Sequence, residues 1–149
     1  MLDRVLELVV LLNDDMTRAI EALDLTPSRM HLLWELGLRG PVTQRVLAEA
    51  LKVTPRAVTG LVDALVGGGL VTREPHPTDR RATLVTLTAE GKRLTAKLKR
   101  EHRALARALF AQMSRREFDS FERGLAAVIT NLRTHLGSTG RSVWSPKRG

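Results

Sequence analysis

Within residues 43–87 the chain concentrates side chains that can grip a polyanion and read the edges of its bases. These are Thr43, Gln44 and Arg45, then Thr54, Pro55, Arg56 and Thr59, and finally Arg73, Asp79, Arg80 and Arg81. An arginine fork can bond bidentately to guanine or phosphate, and a hydroxyl or amide can donate or accept at a base edge. Catalysis lacks comparable means. The four histidines, His31, His76, His102 and His135, show no metal-ligand spacing, and no nucleophile motif is present. Gly67-Gly68-Gly69 follows a helical pattern and precedes a strand, the reverse of a phosphate-binding loop. No enzyme, metal or cofactor is therefore expected.

The elements that would position these groups can be read in the same stretch. Thr54 before Pro55 is an N-cap followed by a first helical residue, since the hydroxyl satisfies an orphan N–H and proline has none to satisfy. Val58, Leu61, Val62 and Leu65 then recur at i, i+3, i+4 and i+7, one buried face, leaving Arg56, Thr59, Gly60 and Asp63 opposite. A preceding helix starts at Thr43 and buries Val46, Leu47, Ala50 and Leu51. With only Lys52 and Val53 between them, the pair reads as a helix-turn-helix. After the triple glycine, Leu70 to Arg73 reads as a strand. Pro75 and Pro77 break it, Asp79-Arg80-Arg81 forms a charged tip, and Leu84 to Leu87 returns as a second strand. A basic hairpin beside a helix-turn-helix is a wing, and arginine at its tip suits a narrow, electronegative minor groove.

Gly69-Leu70-Val71, Asp79-Arg80-Arg81 and Leu87-Thr88-Ala89-Glu90-Gly91 resemble the winged helix of the MarR (multiple antibiotic resistance regulator) family, matching a D-x-R-x(5)-L-T-x-x-G spacing at Asp79, Arg81, Leu87, Thr88 and Gly91. Helix order extends the resemblance over about residues 1–137, although its specific motif lies within 69–91. It implies a mainly α fold with a small β-wing, a dimer, and a regulator of transcription that meets double-stranded DNA. The sequence departs from the family's habit in two places. Its reading helix has few basic residues, with Gly60, Ala64, Gly67 and Gly68 in later positions, and His76 stands where an acid is common.

Roles follow from placement. Thr54, Pro55, Arg56 and Thr59 lie at the end of the reading helix that enters a major groove, with Arg56 suited to guanine. Thr43, Gln44 and Arg45 open the preceding helix, whose free N–H groups suit phosphate. Arg81 matches the family's wing arginine, and Asp79 would brace it through a charge-assisted hydrogen bond. Arg73 and Arg80 are expected on phosphates.

Residues 1–24 place Leu2, Val5, Val9, Leu12, Met16, Ala19 and Leu23 at alternating spacings of three and four, a heptad seam. Leu6, Leu8, Val10 and Ile20 widen it, so the helix wants partners on two faces: its own domain and a second copy. Thr26-Pro27 caps a helix reaching about Arg39, with Met30, Leu33, Trp34 and Leu36 to Leu38 buried. A long helix runs from Thr88, apolar through Leu94, Leu98, Leu105, Leu109 and Phe110 and basic on its other face. Ser114 to Glu117 is a capping box opening a last helix that turns Phe118, Phe121, Leu125, Val128, Ile129, Leu132 and Leu136 inward. The expected organisation is one domain over 1–137, with a DNA-binding head at 27–87, dimerisation helices at 1–24 and 88–137, and a flexible basic tail at 138–149. A two-fold dimer predicts a pseudo-palindromic operator with half-sites roughly 10 base pairs apart.

Composition narrows the partners. The 149 residues carry 24 basic against 16 acidic groups, a net charge of +8 that favours a polyanion. Residues 88–113 hold seven basic groups against Glu90 and Glu101, whereas 1–26 hold two against six acids. Cysteine is absent, which excludes a thiol switch or a disulfide framework, and only 3% of residues are aromatic, too few for stacking single strands. No apolar run is long enough for a bilayer and no signal-peptide pattern opens the chain, so a cytoplasmic protein without membrane partners is expected. The resemblance further implies release from DNA by a small aromatic or anionic effector, for which Arg29, His31 and Trp34 are the candidate contacts. The rival readings are a nonspecific architectural DNA-binding protein and a protein-interaction module built on the same wing.

Overall fold

The computed structural model describes residues 1–139, and the expected tail lies outside the described residues from position 140 onward. Six helices and a three-stranded sheet follow one another as α1 (Leu2–Ala22), α2 (Pro27–Arg39), β1 (Val42–Thr43), α3 (Gln44–Leu51), α4 (Pro55–Gly67), β2 (Val71–Pro75), β3 (Thr83–Leu87), α5 (Ala89–Phe110) and α6 (Arg115–Thr139). The fold is mainly α with a small β-wing. Contacts divide the chain into two compact units, residues 1–101 and the residues from 102 onward, with the division inside α5. Among the described residues no helix is long and apolar enough to cross a membrane.

Helix starts are written in the side chains. Thr26, Thr43 and Thr54 each cap a helix by accepting from the backbone N–H three residues on, at 3.3, 3.4 and 3.2 Å. The join between α3 and α4 is tight because Lys52 adopts a left-handed φ of +55° and its N–H returns to the end of α3. Helix α4 closes through Gly68, and Gly69, at φ +71°, turns the chain into β2.

The core of the first unit gathers Leu32, Leu33 and Leu36 of α2, Leu47 and Ala48 of α3, Val58, Val62 and Leu65 of α4, and Val71 and Val85 of the wing. Fully burying each of the leucines and valines contributes about 1.5–3 kcal/mol, so this cluster is what holds the helix-turn-helix against the sheet. Leu38, expected inside, is 61% exposed. It sits near the end of α2, where the core-facing positions are Leu32, Leu33 and Leu36.

The sheet has the order β1-β3-β2, with both pairs antiparallel. Strand β1 was not anticipated: it is two residues long and exists only because Val42 and Thr43 find Val85 and Leu84. Pro75, expected to end the first strand of the hairpin, is itself the last residue of β2, opposite Thr83. An edge strand tolerates proline because an outward N–H has no partner to lose.

The wing is clasped to α5 by the L-T-x-x-G stretch. The Thr88 hydroxyl donates to the Gly69 carbonyl at 2.7 Å and accepts from the Gly91 N–H at 3.1 Å, while the Thr88 N–H reaches the Leu70 carbonyl. Gly91 is buried, and a Cβ there would stand 2.0 Å from the Leu70 oxygen. Farther along, Lys99 donates to the Gly37 carbonyl of α2, and Thr95 packs where a Gly37 Cβ would come within 3.3 Å. In the second unit Phe110 meets Phe118 edge-on at 5.2 Å and Phe121 at 5.9 Å.

Candidate nucleic-acid interface

Helix α4 presents Arg56 and Thr59 three residues apart on one exposed face. Arg56 makes no ion pair within the described residues, so its guanidinium is available to a partner. Pro55 and Thr54 build the helix start, and the Thr54 hydroxyl is occupied in capping. Thr43 is likewise occupied at the start of α3.

Gln44, the first residue of α3, does not stand alone. Its Oε1 accepts the Thr59 hydroxyl at 3.0 Å, a bond that joins the two helices, and the same hydroxyl lies 3.1 Å from the Pro55 carbonyl. Sequence reading placed both residues near DNA without seeing this link, because the partners are fifteen positions apart and on different helices. Arg45 pairs along its own helix with Glu49 at 3.1 Å. Such an exposed pair is worth well under about 1 kcal/mol and opens readily for a phosphate.

The wing arginines are held in different ways. Arg73 bonds Asp63 of α4 at 2.6 Å, tying β2 to the reading helix rather than standing free. Asp79 braces Arg81 through the backbone: its Oδ1 accepts the Arg81 N–H at 2.9 Å, which fixes the residue's place and leaves the guanidinium without an ion pair among the described residues. Arg80 is also exposed and unpaired within the described residues. His76, read only as a departure from pattern, organises this tip. Its Nδ1 accepts from the Thr78 and Asp79 N–H groups at 3.3 and 3.1 Å, and its own N–H meets the Ala82 carbonyl. No sequence signal marks that role beyond the closeness of Pro77 and Asp79.

The three candidate effector contacts all lie on α2 and differ in exposure. Arg29 and Trp34 of α2 are half-buried, whereas His31 is exposed and lies 3.7 Å from Glu35, which also holds Arg39 at 2.6 Å. A shallow pocket of about 100 Å³ is lined instead by Leu36, Gly40, Pro41, Thr86, Leu87 and Lys92. Helical i,i+4 pairing explains why His31 faces a carboxylate of its own helix. Among the described residues no group of three His, Asp or Glu side chains could hold a metal.

A capped helix-turn-helix with a basic hairpin packed behind its second helix defines a winged helix-turn-helix protein. The MarR family model matches residues 25–83. The chain is 33% identical over 72 residues to the multiple antibiotic resistance protein MarR of Salmonella typhimurium, covering 48% of this chain and half the length of that relative. It is 27% identical over 113 residues to the HTH-type transcriptional regulator YhbI of Bacillus subtilis, covering 76% of this chain and 73% of the relative. Among solved structures, FabT of Streptococcus pneumoniae in complex with DNA superposes with a TM-score of 0.77 at 25% identity, over 90% of this chain and 99% of that one. RV1404 of Mycobacterium tuberculosis gives 0.73 at 32% identity, over 86% and 89%. Residues 25–83 thus form a MarR-type winged helix-turn-helix, and the chain is similar in sequence and fold to transcriptional regulators of that type.

Proposed function

We propose that this protein is a dimeric, sequence-specific DNA-binding repressor that occupies a pseudo-palindromic operator and is released by a small molecule. The observation that carries the DNA reading is the set of unpaired, exposed guanidiniums at two separate places in one head: Arg56 on α4, and Arg80 and Arg81 at a wing tip pinned by Asp79 and His76. Helix and hairpin are held together by the Arg73–Asp63 pair, so the two groups can engage a major groove and its neighbouring minor groove as one body. FabT, a structural neighbour, is solved with DNA, and MdtR of Bacillus subtilis, 32% identical over 77 residues, is a transcriptional repressor. Dimerisation is supported by the exposed apolar residues of α1 and α6, among them Val9, Leu11, Leu125 and Val128. Release by an anionic or aromatic effector is supported by Arg29, a half-buried arginine whose guanidinium has no ion pair within the described residues.

Arg56 is the single basic residue of α4, which also favours a second reading, a DNA-coating protein with little sequence choice. The test is binding to the duplex flanking the protein's own gene with a scrambled duplex as competitor. A preference above about a hundredfold, lost in Arg56→Ala, supports the specific regulator. Equal binding to both duplexes supports the coating protein, and no binding at low salt overturns both.

A further inference from the structure

We propose that Thr59 and Gln44 act as one reading unit. In it the Thr59 oxygen accepts a hydrogen bond from the exocyclic amino group of an adenine or cytosine in the major groove, while Gln44 donates to a backbone phosphate at the groove wall. The inference rests on the DNA-binding reading above and specifies what that surface selects.

A hydroxyl has one proton and two lone pairs. In Thr59 that proton is directed inward, where two acceptors wait for it, Gln44 Oε1 at 3.0 Å and the Pro55 carbonyl at 3.1 Å. Among the described residues no donor bonds the oxygen's lone pairs, and the residue is exposed. Thr59 therefore meets a partner as an acceptor. Free threonine at a protein–DNA interface rotates its hydroxyl to suit either donor or acceptor, and carries little selectivity. Here rotation toward a base would break both inward bonds.

In the major groove, amino donors are offered by adenine N6 and cytosine N4, whereas guanine N7 and O6 and thymine O4 are acceptors. An acceptor held against an acceptor leaves both unpaired as water is expelled, so guanine and thymine are disfavoured at the contacted position.

The same bond sets Gln44. With Oε1 engaged by Thr59, the amide NH₂ makes no hydrogen bond within the described residues, and it is carried by the first residue of α3, in a helix turn whose N–H groups lack intrahelical acceptors. The residue thus adds a neutral side-chain donor at a helix N-terminus, which suits a phosphate oxygen. Because the amide carries no charge, this contact adds affinity without adding to the salt dependence. Thr59 is thus both a base contact and the positioning residue for Gln44.

The experiment is selection of bound sequences from a randomised duplex library by the full chain. Binding of the wild type, Thr59→Val, Thr59→Ser and Gln44→Ala is then measured on the selected duplex. Each is also tested on copies in which single adenines or cytosines are replaced by analogues lacking the amino group. One such replacement in each half-site is expected to weaken the wild type and Thr59→Ser by about tenfold or more, and to leave Thr59→Val unaffected. Gln44→Ala is expected to weaken binding on all duplexes alike with an unchanged salt slope, and to have a smaller effect when Thr59→Val is already present. Retention of the amino-group sensitivity by Thr59→Val, or selection of guanine or thymine at every position that Thr59→Val alters, would overturn the unit while leaving the DNA-binding reading intact. Failure of the wild type to enrich any sequence would overturn sequence reading as a whole, and the unit with it. Circular dichroism of the variants separates a lost contact from a lost fold.

Discussion

At the scale of single residues, the wing arginines and the motif glycine do different work although one spacing contains them. Gly91 is an architectural requirement: its hydrogen faces the Leu70 carbonyl, and an added methyl would sit 2.0 Å from that oxygen. Since the obstacle is backbone, the wing or α5 must move. Gly91→Ala should lower stability by about 2–3 kcal/mol, read as a fall in urea midpoint. Arg81 is the opposite case. Within the described residues only its backbone is bonded, to Asp79, so Arg81→Ala should leave stability in urea within about 0.5 kcal/mol of wild type. On DNA the same variant should lose affinity about tenfold, with a shallower dependence on salt, because a minor-groove guanidinium also displaces counterions. An unchanged salt slope would show that the wing tip does not reach the duplex.

At the scale of elements, legibility in sequence tracked how local each determinant is. The Thr26-Pro27 and Thr54-Pro55 starts, the Gly67 to Gly69 stop and the Ser114–Glu117 box were readable because the partners lie within four residues. Strand β1 was not, since two residues become a strand only through β3, about forty positions later. The Arg73–Asp63 and Gln44–Thr59 links join different elements, and nothing in either residue's neighbours announces the other. His76 was invisible for a related reason: its acceptor role depends on a tip folded back on itself.

Two element joints give predictions. Lys52 occupies the left-handed region that the turn between α3 and α4 demands, at a cost that glycine would not incur. Lys52→Gly should raise stability by about 1 kcal/mol, less the greater freedom it gives the unfolded chain, and calorimetry would show a higher Tm. The second joint is the start of α6. There the Ser114 side chain, and then its backbone N–H, hold the Glu117 carboxyl below its ordinary value of 4.5. A depressed carboxylate contributes stability that is fully present above 4.5 and is lost as pH falls through its lowered value in the folded chain. Helicity of the α6 start should therefore be constant from neutral pH down to that point and weaken below it. Glu117→Gln, which keeps the shape but cannot ionise, should flatten that acid limb; an identical limb in the variant would place its origin elsewhere.

At the scale of the whole molecule, the exposed apolar surface needs a cover. On α6 Phe118, Phe121, Leu125, Val128 and Leu132 recur at alternating spacings of three and four, and each is at least 36% exposed in the single chain. Helix α1 leaves Val9, Val10, Leu11 and Met16 more than half exposed. The sequence reading turned the α6 residues inward; in the single chain they face solvent, and a heptad stripe of this kind is satisfied by another helix with the same stripe. A second copy would supply one and bring a second reading head with it, as the two half-sites of the proposed palindrome require. Sedimentation should therefore find a dimer. Leu125→Glu with Leu132→Glu should shift it to monomer by placing unpaired charges in the seam, while circular dichroism retains the core built by Leu33, Leu47 and Val62. Each monomer would keep an intact helix-turn-helix yet hold only one half-site. Its affinity for the full operator should fall at least about a hundredfold and approach its affinity for an isolated half-site, because the second contact is no longer intramolecular. A double variant that stays dimeric would move the interface away from the α6 stripe. One that becomes monomeric yet binds the full operator as tightly as wild type would remove the two-fold operator from the reading.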